Sequence, residues 1–203
     1  MGGILLNKGR LEAFSDAVIA IIVTIMILEF KTPETAEMKA LLENAPYFFA
    51  YIVTYLFVGV AWYNHHYMFS LTKRVTKRIY WLNNIWLLSM SFLPVATAWA
   101  GRFINSRGPE YFYYVVHFAW LMMYFLLSRA LADANREVAP EVYQKITGMP
   151  IYGVIMKPYF WVIQVALIVA IYFFPAIELI FVILEVFVIG NRTGSDSDKL
   201  FHD

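Results

Sequence analysis

The chain has 203 residues, of which 61% are hydrophobic and only 15% are charged, and its mean hydropathy is +0.59. A chain of this size cannot bury so much apolar surface in water, so these values exclude an ordinary soluble globule as well as a disordered chain. The net charge of +1 gives no electrostatic basis for binding nucleic acid, and the absence of cysteine excludes disulfides, thiolate catalysis and cysteine-ligated metals.

Six apolar segments approach or reach the length of about 20 residues that crosses a bilayer. They lie at about 12–30, 46–69, 79–100, 111–131, 151–174 and 176–189. The last is short and carries Glu178 and Glu185, so it either crosses with help from its flanks or enters and returns. The runs are too long for barrel strands. We predict an all-α, six-span transmembrane helical bundle over residues 1–190 and a polar, mobile cytoplasmic tail over 191–203.

Basic residues predict the orientation, because cytoplasmic loops carry an excess of Lys and Arg. With six spans both termini lie on one side, and 12 of the 16 Lys and Arg residues fall there. We therefore expect a multi-pass protein of the cell membrane with both termini cytoplasmic. The first apolar run is too long for a signal peptide, so we expect it to stay in the mature protein. The basic loop from Lys73 to Arg78 is expected to attract anionic lipid.

The first span, taken as an ideal helix, carries a stripe of side chains along one face. Relative to Ile21, Leu28 lies at roughly −20°, Ala17 at roughly −40°, Ile25 at roughly +40° and Thr24 at roughly −60°. Thr24 is the lone hydroxyl of the stripe, and it could simply bond back to a carbonyl of its own helix. From the residues alone, such a stripe is more often a packing surface than the lining of a pore.

Ser15 and Asp16 point away from this stripe, at roughly +120° and roughly −140°. A carboxylate within a bilayer must find donors inside the protein, because lipid offers none. Its candidate partners are Arg10, Asn64, His65, His66, Asn83 and Asn84. We expect Ser15 and Asp16 to be structural anchors that fix the first helix against the second and third spans.

Other intramembrane polar groups have both a structural and a functional interpretation. His65 and His66 point about 100° apart on a helix, which disfavours a shared ion and favours a hydrogen-bonded structural histidine. Glu178 and Glu185 are seven residues apart and share a face, as functional groups or as groups near the two interfaces. The motifs GxSxG and HExxH and a glycine-rich phosphate loop are absent, so we expect neither an enzyme nor a cofactor.

The first span opens with a recognisable motif, RxxxFSD, formed by Arg10, Phe14, Ser15 and Asp16. Supporting positions occur in the next two spans, namely Val60-Ala61-Trp62, His65, Leu82-Asn83 and Ser91-Phe92-Leu93-Pro94. On these residues the chain resembles the transmembrane protein 175 potassium-channel family, known in animals from endosomes and lysosomes. The resemblance covers the first three spans well, whereas the other three match in number and hydropathy.

The resemblance implies a prokaryotic form with one six-span unit per chain, assembled as a homotetramer whose four first helices line a central pore. It places the narrowest constriction at Ile21, with Leu28 further out, so that apolar side chains close the pore by sterics and dewetting. Thr24, with Ile25 beside it, is assigned to selectivity, because hydroxyls can replace part of the water shell of K⁺ in transit. The filter sequence TVGYG is absent, so modest selectivity is expected.

Carboxylates near the outer end of the first span support cation preference, because a fourfold ring of them would concentrate cations. They are Glu29, Glu34, Glu37 and Glu43, with Lys31 and Lys39 opposing them in the same loop. The acidic residues thus favour a cation, and the resemblance implies a potassium-preferring channel whose partners are monovalent cations, membrane lipid and copies of itself. The alternatives are a small secondary transporter that uses the intramembrane Glu or His residues, and a membrane scaffold without ion flux.

Overall fold

The computed structural model describes residues 7–192, and over this range the chain forms ten helices and no strand. The helices are α1 (Lys8–Leu28), α2 (Met38–Leu42), α3 (Ala45–Leu71), α4 (Lys77–Met90), α5 (Leu93–Arg102), α6 (Arg107–Asn135), α7 (Pro140–Thr147), α8 (Pro150–Ile155), α9 (Pro158–Phe173) and α10 (Ile177–Arg192). The prediction of an all-α fold is confirmed for these residues. Four segments are long and apolar enough to cross a membrane, namely Lys8–Leu28, Ala45–Leu71, Lys77–Arg102 and Arg107–Asn135.

The long helices α1, α3 and α6 lie within a few residues of the first, second and fourth predicted spans. The side chain of Asn7 accepts a hydrogen bond from the backbone N–H of Arg10 at 3.3 Å and so caps the start of α1. Pro46 occupies the first turn of α3, where its missing N–H costs nothing. Local sequence signals therefore account for where α1 and α3 begin.

The third predicted span, 79–100, is a kinked pair of helices. α4 ends at Met90, and α5 begins at Leu93 with Pro94 in its first turn. A proline cannot donate to the carbonyl four residues earlier and its ring crowds that carbonyl, so a regular helix cannot continue here. Beyond the kink α5 packs closely on α3, and Gly101 allows this because it has no Cβ. A Cβ at this position would lie 2.7 Å from the Cα of Tyr47.

The fifth predicted span, 151–174, is not one helix, because α8 and α9 are separate. Lys157 between them is extended, with φ −95° and ψ 141°, as expected for a residue that precedes a proline. α9 and α10 have 16 residues each, or about 24 Å at the helical rise, which is less than the hydrocarbon thickness of about 30 Å. Helix length alone therefore does not establish six crossings.

The structure describes only the first two residues of the tail predicted from residue 191. The helix α10 continues to Arg192, two residues into the segment that the sequence assigned to the tail. The rest of the predicted tail, 193–203, lies outside the described residues.

The core is centred on α6, which packs against α3, α4, α5 and α7 to α10. Its largest buried side chains include Trp86, Trp120 and Tyr124, which contact one another through their rings. Buried hydroxyl groups also join α3, α5 and α6. Thr54 Oγ1 lies 2.9 Å from the Tyr113 hydroxyl and accepts a hydrogen bond from the hydroxyl of Thr97 at 3.0 Å. α1 packs mainly on α3, α4 and α5, so it lies at one side of the bundle.

Candidate functional site

The helix α1 has one buried face and one open face. The buried face consists of Leu11, Ser15, Ile19, Ile22 and Met26. The open face is the stripe found in the sequence, here called the open stripe and formed by Ala17, Ile21, Thr24, Ile25 and Leu28. Ile21, Ile25 and Leu28 keep 55%, 41% and 77% of their surface exposed. The stripe therefore takes no part in the core of its own subunit.

Thr24 satisfies its hydroxyl within α1. Its Oγ1 donates toward the carbonyl oxygens of Ala20 and Ile21, each at 2.9 Å, as the structural interpretation of this residue anticipated. A hydroxyl has one proton and two lone pairs, so the bonded proton faces the helix and oxygen lone pairs remain for another partner. A group of this kind accepts from a donor or contacts a cation.

Ser15 belongs to a directional chain of hydrogen bonds that joins three helices. The amide of Asn83 in α4 donates to Ser15 Oγ at 2.8 Å, and Ser15 in turn donates to the carbonyl of Leu11 at 2.9 Å. Because the amide group of Asn83 donates, its Oδ1 accepts from Nε2 of His65 in α3, at 2.8 Å. The ring of His65 also stacks on Trp86 with centroids 4.8 Å apart.

Asp16 is held by a residue that the sequence did not single out as its partner. The indole N–H of Trp62 in α3 donates to Asp16 Oδ1 at 2.8 Å. Arg10 and Phe14 are both exposed, so the structure does not bring these two motif residues into the contacts. Ser15, Asp16, Trp62, His65 and Asn83 together form what we call the anchoring network.

The remaining candidate partners of Asp16 have other contacts. The side-chain amides of Asn64 and Asn84 each donate to a carbonyl of their own helix at 2.8 Å. His66 stacks on Trp62 with ring centroids 6.0 Å apart, so it supports the indole that holds Asp16. The two histidines thus have separate surroundings, as their angular separation predicts.

The four acidic residues that follow α1, namely Glu29, Glu34, Glu37 and Glu43, are exposed in the structure. Glu29 and Glu43 line one cavity of about 280 Å³, which Lys31 and Arg102 also line. The loop therefore brings acidic groups together but places basic groups beside them.

The sequence did not reveal a buried ion-pair cluster formed by His117, Glu178 and Glu185. Nδ1 of His117 lies 2.8 Å from Glu178 Oε1, and Nε2 lies 3.0 Å from Glu185 Oε2. The seven-residue spacing correctly placed both carboxylates on one face of α10, but their partner is 61 positions from the first of them. Among the described residues no group of His, Asp and Glu side chains is arranged to hold a metal ion.

Four apolar segments of membrane length, with polar contacts buried between them, define an integral membrane protein. The sequence profile of a family described as "Endosomal/lysosomal potassium channel TMEM175" matches residues 10–94, which contain the RxxxFSD motif and the anchoring network. The chain belongs to the TMEM175 family. The family description is that of an ion channel and not of an enzyme.

Comparison with individual proteins extends the similarity to two bacterial potassium channels. A potassium channel of Chryseobacterium sp. is 45% identical over 104 residues, which cover 51% of this chain and 54% of that protein. A potassium channel of Chamaesiphon minutus is 30% identical over 142 residues, which cover 66% of this chain and 70% of that protein. The match thus spans about half the length of the first relative.

The fold is similar to a solved structure over most of both chains. The crystal structure of a lysosomal potassium-selective channel TMEM175 homolog from Chamaesiphon minutus superposes with a TM-score of 0.64 at 25% sequence identity. The superposition covers 88% of this chain and 97% of that one. The likeness therefore extends well beyond the profile match and includes most of the later helices.

Proposed function

We propose that this chain is the subunit of a homotetrameric, potassium-preferring cation channel, with α1 of each copy lining a central pore. The names of the similar proteins support potassium as the ion. The observation that carries the proposal is the open stripe of α1, whose side chains the subunit leaves uncovered although the opposite face of the same helix is fully packed.

Only three environments are available to the open stripe, namely lipid, a neighbouring copy and a water-filled pore. Lipid is a suitable environment for Ile21 and Leu28. It offers no hydrogen-bond donor or cation to the Thr24 oxygen, whose lone pairs remain available because its proton is bonded within α1. A pore accounts for both kinds of side chain, because the apolar ones constrict it and the hydroxyl oxygens contact the ion.

The constriction is assigned to Ile21, with Leu28 nearer the outer end. Four isoleucine side chains around an axis leave little room for a hydrated ion, so the ring closes the pore by sterics and dewetting without a charged gate. Opening then requires α1 to rotate or splay. Ile21 is not packed within its own subunit, so moving its side chain away from the axis breaks no core contact of Ile21.

Selectivity is assigned to Thr24 and Ile25, one turn from the constriction. Four Thr24 oxygens can replace part of the water shell of K⁺, and Ile25 narrows the same level of the pore. The chain lacks the TVGYG sequence of carbonyl-lined filters, so selectivity from side chains should be modest. Exposed carboxylates at the outer end would raise the local cation concentration.

The anchoring network is assigned the role of holding α1 at a defined rotation. Asn83 fixes one side of α1 through Ser15, and Trp62 fixes an adjacent side through Asp16. Because these contacts reach α1 from α4 and from α3, a rotation of α1 must strain or break at least one of them.

The topology of the proposal has six crossings and both termini in the cytoplasm. α9 and α10 are short, and short helices cross where the bilayer thins or where flanking side chains snorkel to the interface. The distribution of Lys and Arg supports this orientation.

The test compares Ile21→Ala with Ile22→Ala in purified protein in planar bilayers under a potassium gradient. Ile22 is the matched control, because it is 4% exposed and faces the interior of the subunit. We expect Ile21→Ala to raise the conductance or open probability several-fold. Ile22→Ala should leave the conductance unchanged and lower stability by about 2–5 kcal/mol, the usual cost of truncating a buried isoleucine. A normal current with impaired assembly in Ile21→Ala would instead make Ile21 a packing residue.

The cluster of His117, Glu178 and Glu185 favours the second candidate, a secondary transporter, because buried ionisable groups serve as coupling sites in such proteins. Flux measurements separate the two. A channel gives a reversal potential that follows the potassium gradient, whereas a transporter shows slow turnover with fixed proton coupling. Absence of flux in both assays would indicate a scaffold.

A further inference from the structure

A groove on the α8 to α10 side of the bundle combines apolar walls with one carboxylate. It has a volume of about 230 Å³ and is lined by residues of α6, α8, α9 and α10. Its walls include Leu121, Val154, Phe160 and Leu184, and Glu185 is the one charged residue of the lining. α1 packs on other helices, so the groove is separate from the open stripe.

The cluster behind the groove carries an uncompensated negative charge. Two carboxyl groups lie within 3.0 Å of one imidazole, which carries at most one positive charge. With both carboxyl groups ionised, the cluster therefore keeps a net charge of −1 even when His117 is protonated. In the described part of the chain no Lys or Arg pairs with Glu178 or Glu185. Such a charge is costly at a site walled by apolar groups.

Of the two carboxylates, Glu185 is the one that a ligand can reach. Its side chain is 12% exposed and lines the groove, whereas that of Glu178 is 1% exposed. A third carboxyl group, Glu110, is fully buried and close enough to Glu178 to interact electrostatically, so it adds no compensating charge. A cation that approaches along the groove therefore meets Glu185 first.

We propose that this groove binds a lipophilic ammonium ion. The alkyl chain lies among the apolar walls, and the ammonium group donates to Glu185 and balances the charge of the cluster. The volume is below the range of about 300–1,000 Å³ that is typical of drug-sized ligands, so a slender ligand fits best. A lipid acyl chain is the competing occupant, and it would make no use of the carboxylate. The proposal involves no pore residue and does not depend on ion conduction.

The test measures binding of octylammonium and 1-octanol to the full chain in nanodiscs of zwitterionic lipid, with empty nanodiscs subtracted. The two probes share a chain length and differ in charge. We expect octylammonium to bind at least about tenfold more tightly, because a charge-assisted hydrogen bond is available to it alone. Glu185→Gln should remove this preference and leave octanol binding unchanged. Glu137→Gln, an exposed position after α6, is the matched control and should retain it.

A second variant keeps the test decisive if Glu185→Gln folds poorly. Leu184 lines the groove and is 57% exposed, so Leu184→Trp should fill the groove without touching the ion pairs. It should weaken both probes. Equal binding of the two probes to the unmodified chain would show an acyl-chain groove and overturn the proposal. So would an ammonium preference that persists in Glu185→Gln, or octylammonium binding that Leu184→Trp leaves unchanged.

Discussion

Replacing Asn83 by leucine tests whether the anchoring network stabilises the subunit. Asn83 is fully buried and makes two hydrogen bonds of 2.8 Å, one with Ser15 and one with His65. Each bond is worth about 0.5–1.5 kcal/mol, and a buried donor left without a partner costs about 1–3 kcal/mol. Ser15 retains its bond to Leu11, so only the Nε2–H of His65 loses its partner. The expected loss of unfolding free energy is about 2–4 kcal/mol.

The adjacent Asn84 provides a matched control. Its amide donates only within α4, to the carbonyl of Tyr80, and the side chain is half-buried. Asn84→Leu should therefore cost less than about 1 kcal/mol, because it removes one bond and leaves no buried donor without a partner. Reversible unfolding in mixed micelles, followed by Trp fluorescence, gives both values under one set of conditions.

If Asn83→Leu and Asn84→Leu lose the same free energy, the three-helix chain contributes no stability beyond that of a single bond within a helix. Hydrogen bonds within membranes average only about 0.6 kcal/mol in double-mutant cycles, so the measurement must resolve differences in unfolding free energy of about that size. A loss confined to Asn83→Leu, and smaller when Ser15→Ala is already present, would assign part of it to the bond with α1.

Three further changes give distinct outcomes. Gly101→Ala should lower the melting temperature through a loss of about 1–3 kcal/mol in unfolding free energy, because the new Cβ meets the backbone of α3. In Gly108→Ala the new Cβ meets nothing within 4 Å, so this control should not lower the melting temperature. Equal melting temperatures of the two variants would contradict the close contact between α3 and α5. Asp16→Asn weakens the charge-assisted bond from Trp62, so assembly or open probability should change, and normal values of both would remove the anchoring role. His117→Ala leaves two buried carboxylates without a cationic partner and should cost about 3–5 kcal/mol in unfolding free energy, a loss that a small measured value would refute.

Hydropathy predicted the helical segments well because their information is local. The first four spans could be found because each contains a long apolar run. The helix breaks before Pro94 and Pro158 were not predicted, because hydropathy measures apolar content and does not register a missing backbone donor.

The candidate site was only partly predictable for a different reason. Helical angles placed the open stripe on a different face of α1 from Ser15 and Asp16, and the structure agrees. The face on which a residue lies can be predicted because it depends only on residues within one or two turns of the same helix. The contact of Asp16 with Trp62 and that of Glu178 with His117 join residues 46 and 61 positions apart. Tertiary packing alone brings such pairs together, and no periodicity encodes it.

The most direct measurement of whether α1 lines the ion path uses the fact that the chain contains no cysteine. Single variants Ile21→Cys, Leu28→Cys and Ile22→Cys would be exposed to a small thiol-reactive cation such as Ag⁺ during bilayer recording. Rapid, irreversible block at positions 21 and 28, with no block at the buried position 22, is the predicted result. Suppose instead that Ag⁺ leaves the current through Ile21→Cys and Leu28→Cys unaltered, although it reacts with a cysteine placed elsewhere on α1. The ion path would then lie away from this helix.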